Sequence, residues 1–268
     1  MLDLFDLNAH VGKPVQPAPE WFDTPEALLA EMDHYGIARA VVTHYAARQA
    51  HPDIGNPETL RFAGPRLAAA WTFVPSVGRE SDAPRAIEAA IAAGVRILRY
   101  YPRDYFVPFS VAAIGDFLEA MQERQIPLVV DFSSSTNYGQ FETDWEGLVA
   151  VCRAFSNLPI ITTEYRIRSN RMLFRALDLC PNLRVCTSAV WLYKNLDHIV
   201  AEFGAGRLLF GTNIPAFDPA IPVAMLRFAE IPDKAKAAIA SGNLVSLLSQ
   251  VNAPVSSSSY PQHLTPNT

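Results

Sequence analysis

The chain is 268 residues long, half of its residues are hydrophobic, and its formal net charge is -5. This length and apolar content allow one large α/β domain or two smaller ones, each with a sizeable core. The acidic balance excludes nucleic acid and anionic membranes as main partners, and no run approaches the roughly 18 apolar residues of a membrane span.

Short apolar runs recur along the chain, and each stops at a polar residue, a glycine or a proline. Runs of this length, rich in β-branched residues and bounded by breakers, predict buried strands. The first run stops at Asn8, Ala9 and His10, so we expect a strand with a polar end there. The predicted strands are residues 2–7, 38–43, 67–74, 95–100, 127–130, 159–163, 183–187 and 208–211.

Helical patterns separate these strands. Thr24 and Pro25 form a typical helix start, and Gly36 is suited to end that helix. Asn56 and Pro57 predict another start, and the alanine-rich stretch before Gly94 favours helix by propensity. The predicted helices are residues 24–36, 56–64, 83–93, 110–124, 144–155, 170–179, 194–203 and one or two closing helices within 233–248.

Eight strands alternating with helices at intervals of about 25 to 35 residues match the rhythm of a (β/α)8 barrel, or TIM barrel. An open, doubly wound sheet is the structural alternative, but no Gly-x-Gly-x-x-Gly turn follows the first strand. We therefore predict a single α/β barrel domain over residues 1–250. Residues 251–268 are rich in Ser, Pro and Asn and are predicted to be an extended or disordered tail.

Polar residues follow most of the predicted strands. The carboxyl ends of barrel strands meet at one mouth, where active sites are built. Each residue alone is a weak signal, because a polar side chain at a strand end commonly caps a turn or the next helix. The strand-end candidates are Asn8, His10, His44, Arg99, Asp131, Glu164, Thr187 and Asn213.

Asp131 and Glu164 have more weight as a pair, because they follow consecutive strands at comparable positions. Neighbouring strands lie about 5 Å apart, so both carboxylates could face one pocket. Two close carboxylates do not ionise independently, and one would then suit general acid or base chemistry. The alternative is that each carboxylate pairs with an arginine or caps a loop.

Arginines follow the fourth and sixth strands, with Arg99 and Arg166 among them. Guanidinium groups at a barrel mouth suit a substrate carboxylate or phosphate, although an internal partner for Asp131 or Glu164 explains them equally well. The serine-rich stretch 133–136 could hold an anion or be an ordinary polar loop.

The three cysteines, Cys152, Cys180 and Cys186, are an odd number without metal-binding spacing. They predict small hydrophobic core residues rather than a disulfide framework or a zinc site. The first residues lack the basic region and cleavage site of a signal peptide, so we expect a cytoplasmic protein.

Two segments at opposite ends of the chain resemble those of a known family. Residues 5–12 read Phe-Asp-Leu-Asn-Ala-His-Val-Gly, and residues 207–215 read Arg-Leu-Leu-Phe-Gly-Thr-Asn-Ile-Pro. With the strand rhythm and the closing Gly242-Asn243-Leu244, the chain resembles the amidohydrolase-related metal-dependent hydrolases of TIM-barrel fold. That group includes aminocarboxymuconate-semialdehyde decarboxylase-like enzymes, so the resemblance implies a hydrolase or a related lyase, and a homodimer is plausible for it.

The same resemblance implies that most metal ligands are substituted. Where the family carries His-x-His on strand one, His after strands five and six, and Asp after strand eight, this chain has Asn8, Asp131, Glu164 and Asn213, and retains only His10. Neutral Asn is a poor ligand for a catalytic metal and cannot accept a proton. We expect either no metal, as in relatives that resemble pyrone-dicarboxylate lactonase, or a rebuilt metal site near His10, Asp131 and Glu164.

The favoured hypothesis is a metal-independent hydrolase or lyase acting on a small, anionic substrate. The alternative is a catalytically silent barrel that binds a ligand or assembles with a partner, because a fold does not guarantee its usual function. The candidate catalytic residues are Asp131, Glu164 and His10, and the candidate substrate-binding residues are Asn8, Asn213, His44, Arg99 and Arg166.

Overall fold

The computed structural model describes residues 2–15, 18–75, 82–135, 142–163 and 170–252. Nine strand segments alternate with helices over this part of the chain. The strands are β1 (Leu4–Val11), β2 (Ile37–His44), β3 (Leu67–Ala69), β4 (Trp71–Thr72), β5 (Leu98–Tyr100), β6 (Leu128–Val130), β7 (Ile160–Thr162), β8 (Leu183–Cys186) and β9 (Leu208–Leu209).

All strand pairs are parallel, and they run in the order β1 to β3 and β4 to β9. β3 and β4 are one stretch of chain separated by Ala70, whose amide donates to the Val42 carbonyl at 2.9 Å. The ring closes where Leu7 N donates to Phe210 O at 2.9 Å and His10 N donates to Ile214 O at 2.8 Å. The nine segments therefore form the eight staves of a (β/α)8 barrel, as predicted.

The lower half of the barrel is filled by apolar side chains from all eight staves. They are sealed from below by Leu244 and Leu247 of the last helix. This inner cluster fixes which strand residues face the barrel interior, because side chains alternate between the two faces of a strand. The stave residues in it are Phe5, Leu7, Val41, Ala70, Ile97, Val129, Ile161, Cys186 and Leu209.

The helices pack around this ring, and the outward-facing strand residues join their apolar faces in a second, larger core. The helices are α1 (Pro25–Tyr35), α2 (Tyr45–Gln49), α3 (Pro52–Leu60), α4 (Ala83–Ala92), α5 (Val111–Arg124), α6 (Trp145–Ala154), α7 (Asn170–Leu179), α8 (Asn195–Phe203), α9 (Ala220–Phe228), α10 (Asp233–Ala237) and α11 (Asn243–Ser249).

Local signals in the sequence placed the best-defined helices correctly. Thr24 caps α1 through a hydrogen bond from Ala27 N, Pro25 occupies the first turn, and Gly36 ends the helix in the left-handed region with φ of 71°. The helix predicted at residues 170–179 has the observed bounds. The prediction that Cys152, Cys180 and Cys186 are core residues is also confirmed, since all three are buried and unpaired as disulfides.

Several predicted boundaries were wrong, for example the strand expected from residue 95, which begins at Leu98. β1 continues through Val11 instead of stopping before Asn8, because it pairs on one side with β2 and on the other with residues 210–214. The stave predicted as residues 67–74 ends at Thr72. The helix expected from Asn56 begins at Pro52, where the His51 side chain accepts a hydrogen bond from the Asp53 amide and thereby caps it.

Two helices, α2 and α9, were not predicted at all. α2 has only five residues and follows β2 directly, with the His44 side chain as its cap. A helix this short carries too few apolar positions to produce a periodic signal. At the other end of the chain Val251 packs in the core, and the predicted tail from residue 253 onward lies outside the described residues. None of the described helices is long and apolar enough to cross a membrane.

Candidate functional site at the mouth of the barrel

A polar layer lies directly above the apolar layer inside the barrel. It arises two residues further along each stave, where the side chain returns to the same face. Val129 is followed in this way by Asp131, and Ile161 by Thr163. The same step leads from the apolar layer to Thr43, Thr72, Arg99 and Ser188. Of the strand-end candidates, this step places Arg99 and Asp131 in one buried layer at the carboxyl end of the barrel.

β1 enters this layer through an irregularity in its pairing with β2 between Asp6 and Ala9. Asp6 stabilises it, because its carboxylate accepts hydrogen bonds from Asn8 N at 2.7 Å, from Thr212 N at 3.0 Å and from the Thr212 hydroxyl. Burial raises the pKa of Asp6, and the hydrogen bonds from Thr212 and Asn8 oppose that rise. Asp6 therefore joins β1 to the chain beyond β9 and brings Asn8 into the polar layer.

Arg99 is the most deeply buried cation of the site, with none of its surface exposed. Its Nη1 donates to Asn8 Oδ1 at 2.7 Å and its Nη2 donates to the Leu7 carbonyl at 2.5 Å. Asn8 in turn donates from Nδ2 to Ser188 Oγ at 3.2 Å. Arg99 lies within β5 rather than at a strand end, and its contacts orient Asn8.

His10 lies beside two aromatic residues. Its ring stacks on Tyr45 with centroids 5.2 Å apart, and its Nε2 lies 3.4 Å from the Tyr101 hydroxyl. Burial lowers the pKa of His10 well below its ordinary value, and the positive charges of Arg99 and Arg48 lower it further. The imidazole is therefore neutral at physiological pH and can donate or accept a hydrogen bond without carrying charge.

This neutral state predicts how the protein responds to acid. Because the folded pKa of His10 lies below the unfolded value of about 6.5, the unfolded chain takes up a proton first as pH falls. The contribution of His10 to the free energy of unfolding is complete above that pH and falls by up to about 1.4 kcal/mol per pH unit below it. Urea unfolding at pH 7.5 and pH 5 measures this loss.

His10→Asn should reduce that acid sensitivity, whereas His34→Asn should leave it unchanged, because His34 is exposed. Equal acid sensitivity in wild type and His10→Asn would show that His10 is not held neutral by the fold.

Arg48 is a second buried cation, and it reaches the layer from α2 rather than from a strand. Its Nη2 donates to Ser133 O at 3.1 Å and Ser133 Oγ at 3.0 Å, and its Nε donates to the Asp104 carboxylate. Its Nη1 lies 3.7 Å from Asp131 Oδ2. Burial opposes the charge of Arg48, but Asp131 and Asp104 together outweigh it and raise the pKa of Arg48 above its ordinary value.

Asp131 is held with one oxygen satisfied and one free of hydrogen bonds. Its Oδ1 accepts from Ser133 N at 2.8 Å, while Oδ2 has only the ion pair with Arg48. Two serines of the stretch that was considered as an anion-binding loop are already hydrogen-bonded within the protein. Ser133 Oγ accepts from Arg48, and Ser135 Oγ donates to Asp104 Oδ1 at 3.0 Å. Asp131 therefore presents a fixed, buried carboxylate oxygen to the layer.

Asn213 is held by its backbone. Its φ is 63°, a left-handed conformation that Asn tolerates better than most residues, and the peptide bond between Ile214 and Pro215 is cis. Asn213 N donates to Asn8 O at 2.8 Å. Its side chain is 7 % exposed, so the amide sits at the rim of the polar layer.

His44 and Thr187 both have local structural partners. His44 Nδ1 accepts from Ala46 N at 3.1 Å and caps α2, and its half-buried ring covers Gly12 so closely that a Cβ there would lie 2.1 Å from His44 Nε2. Burial lowers the pKa of His44. Thr187 Oγ1 accepts from Gly211 N at 3.0 Å and so joins the ends of β8 and β9.

Several buried polar atoms of the layer have no hydrogen-bond partner among the residues that the structure describes. Buried polar groups are nearly always paired in folded proteins, so a group of unpaired atoms needs an explanation. Around the mouth these atoms include donors and acceptors from five different staves. They are His10 Nδ1, Thr43 Oγ1, Arg99 Nε, Asp131 Oδ2 and Thr163 Oγ1.

A separate cavity of about 720 Å³ lies outside the barrel wall, between the end of β4 and α4. Phe73, Ile87, Leu98 and Phe117 form much of its lining. It meets the polar layer only through Thr72 and Asp104, and neither His10 nor Asp131 lines it. Size alone does not make it the functional site, because the chemically equipped residues lie elsewhere.

Glu164 and Arg166 lie outside the described residues, so the predicted pairing of Asp131 with Glu164 stays a prediction. Among the residues that the structure describes, no group of three His, Cys, Asp or Glu side chains could hold a metal ion. Arg48 and Asp104 were missed from the sequence. They lie in a helix and a loop, so the search for polar strand ends passed over them.

Comparison with known proteins places this geometry in context. A sequence model of the amidohydrolase family matches residues 6–246. A comparison with curated protein sequences gave no significant match. Among solved structures, 5-carboxyvanillate decarboxylase from Sphingomonas paucimobilis is 19 % identical with a TM-score of 0.69, covering 93 % of this chain and 99 % of that one.

Two further structures have the same fold. 2,6-Dihydroxybenzoate decarboxylase from Rhizobium is 15 % identical with a TM-score of 0.73 over 93 % of this chain and 99 % of that one. A probable 2-pyrone-4,6-dicarboxylic acid hydrolase from Acinetobacter baumannii is 10 % identical with a TM-score of 0.68 over 92 % of this chain and 100 % of that one. At such identities the likeness establishes the fold alone.

Proposed function

The chain belongs to the amidohydrolase family, and from this premise we propose that it is an enzyme that hydrolyses or decarboxylates a small carboxylated molecule without a metal ion. The reaction takes place in the polar layer at the mouth of the barrel. The observation that carries this proposal is the free Oδ2 of the buried Asp131, which faces the same layer as the unpaired His10 Nδ1.

Asp131 is the candidate general base. Its Oδ1 is fixed by the Ser133 amide, so a proton from water or from a substrate hydroxyl would go to Oδ2. His10 is neutral and beside the Tyr101 hydroxyl, so it can donate a hydrogen bond to a substrate carbonyl, and the proton that Asp131 accepts would return to the leaving group. Glu164 is the second candidate base, as the sequence predicts.

Two buried arginines favour an anionic substrate. Arg48 and Arg99 place positive charge around the layer, and a desolvated carboxylate needs such charge. Arg99 would act mainly through Asn8, which it orients, while Asn213, His44 and Arg166 remain proposed substrate contacts. The names of the three similar structures all refer to carboxylated ring compounds, which makes this class the first to test.

The described residues do not fit the divalent metal that the family resemblance implies. His10 Nδ1 is free to bind a metal, but Asn8 Oδ1 is already occupied by Arg99, and two guanidinium groups lie close to His10. Positive charge beside a ligand disfavours a cation there. No reaction step is therefore assigned to a metal, and the rebuilt site with His10, Asp131 and Glu164 is the competing arrangement.

Metal content separates these two arrangements. Protein purified without chelator should contain only substoichiometric zinc, manganese and iron by mass spectrometry of the digested sample. Stoichiometric metal that disappears in His10→Ala would support the rebuilt site and contradict the metal-independent proposal. Asn213→Ala serves as the control, because a neutral amide is a weak ligand.

The proposed function is tested by a substrate screen. Wild-type protein is incubated with hydroxybenzoates, pyrone carboxylates, lactones and amides, and both carboxylate loss and ring opening are followed. Turnover should concentrate on compounds that keep a carboxylate, and the matching methyl esters should react poorly. Faster reaction of the esters would contradict the inference, drawn from the two buried arginines, that the substrate is anionic.

A catalytically silent barrel is the second candidate function. One observation favours it. Most hydrogen-bond donors of Arg99 and Arg48 already bind acceptors of the protein itself, which are on Asn8, Leu7, Asp104 and Ser133. Tight binding of a carboxylated ligand without turnover of any compound in the screen would support it. A cytoplasmic location and a homodimer, both expected from the sequence, are further proposals that cell fractionation and light scattering would test.

A further inference from the structure

We propose that Arg48 is a positioning residue of this site, through which helix α2 fixes the segment after β6 and so aims the free oxygen of Asp131. The inference rests on the proposed function of Asp131 as the base. It assigns a specific role to a buried side chain that lies on a helix and not at the end of a strand.

The guanidinium of Arg48 uses all three of its nitrogens. Nη2 holds Ser133 by its carbonyl at 3.1 Å and its hydroxyl at 3.0 Å, Nη1 lies 3.7 Å from Asp131 Oδ2, and Nε binds Asp104. The group also lies over the Tyr101 ring at 4.6 Å from its centroid. A planar, forked donor can make these contacts together, whereas a lysine ammonium cannot.

Asp104 extends the same arrangement along the segment. Its Oδ1 accepts from Ser135 N at 2.8 Å and from Ser135 Oγ at 3.0 Å, while Oδ2 accepts from Arg48. The Arg48 and Asp104 side chains are 6 % and 4 % exposed, so water competes little with these bonds. The alternate residues Asp131, Ser133 and Ser135 are thus held by one buried ion pair.

Helix α2, which carries Arg48, is itself held in place by hydrogen bonds. The carbonyl of Ala47 accepts from the Tyr105 hydroxyl at 2.8 Å and from Thr72 Oγ1 at 3.2 Å, and His44 caps the start of α2. Contacts from two other staves therefore fix this short helix at the mouth. The fold thus fixes the position of α2, and Arg48 in turn fixes the segment that carries Asp131.

Hydrogen exchange tests the arrangement without any substrate. We call the contacts of Arg48 and Asp104 with residues 131–135 the clamp. The amides of Ser133 and Ser135 donate to Asp131 and Asp104, so their protection from exchange reports on this clamp. In both Arg48→Lys and Arg48→Met these amides should exchange at least about 10-fold faster than in wild type, read by mass spectrometry of peptides spanning residues 128–135. Arg61→Lys is the control, because Arg61 is exposed and pairs only with Glu58. Unchanged protection in Arg48→Lys would overturn the inference.

Kinetics on a compound found in the screen then test the link to catalysis. Misplacement of the base should lower kcat by about 10- to 100-fold in both variants, and KM should change little in Arg48→Lys, which keeps the positive charge. Full kcat in Arg48→Lys would mean that charge alone suffices and would also overturn the inference. If exchange rises in the variants but wild type turns over nothing, the proposed function fails and the clamp stands. If exchange is unchanged while Asp131→Asn is inactive, the function stands and the clamp fails.

Discussion

Asp131→Asn is expected to lower kcat by about 10²- to 10⁴-fold, because general base catalysis contributes that factor and an amide cannot accept the proton. The substitution keeps the size of the side chain, and the amide oxygen can still accept the Ser133 N–H bond that Asp131 Oδ1 accepts now. Circular dichroism should therefore remain close to wild type, whereas the thermal unfolding temperature should fall, because the buried Arg48 loses one of its two negative partners. Steady-state kinetics on the best compound of the substrate screen gives the result.

Glu164→Gln is the matched variant for this experiment, since Glu164 follows the next stave and is the other candidate base. Loss of turnover in both variants would indicate that the two carboxylates act together. Loss in Glu164→Gln alone would transfer the base to Glu164. Full activity in both would remove the acid-base proposal altogether.

Arg99→Met is expected to cause the largest loss of stability, about 2–4 kcal/mol, because two buried acceptors each lose a partner at a cost of about 1–3 kcal/mol. These acceptors are Asn8 Oδ1 and the Leu7 carbonyl, and the nearby Asp6 carboxylate also loses a neighbouring positive charge. Relief from burying the guanidinium offsets part of the loss. Urea unfolding measured at pH 7 gives the change in free energy.

The control for Arg99→Met is Arg61→Met, which removes an exposed arginine from its pair with Glu58. That change should cost less than about 1 kcal/mol, as is usual for surface ion pairs. If Arg99→Met were as stable as this control, Arg99 would not be holding β1 in place. Its buried charge would then have to be explained by ligand binding alone.

The sequence predicts the barrel well because the signals that define it are local. Each stave ends in its own polar residue or breaker, and caps such as Thr24 and Gly36 act within one turn. These features need no knowledge of distant contacts. The sequence also places Asp131 at the end of a strand, but its inward direction follows only from the folded chain, in which Val129 faces the interior and the residue two steps further lies on the same face.

What the sequence does not reveal depends on contacts between distant residues. β1 continues to Val11 because it pairs with β2 on one side and with residues 210–214, about 200 positions away, on the other. Arg48 reaches Ser133 and Asp131 from a five-residue helix, and no periodic pattern marks that helix. Arg99 was predicted as a substrate contact from its position, whereas its complete burial and its bonds to Asn8 and Leu7 become visible only in the folded chain.

In the proposed function, Asp131 acts as the general base of this barrel without a metal ion. The most direct measurement is turnover of a carboxylated substrate by wild type and Asp131→Asn, each before and after exhaustive chelation and after return of zinc or manganese. Wild type should keep its full rate after chelation, and Asp131→Asn should be inactive in every condition. A wild-type rate that vanishes on chelation and returns with added metal would contradict the account.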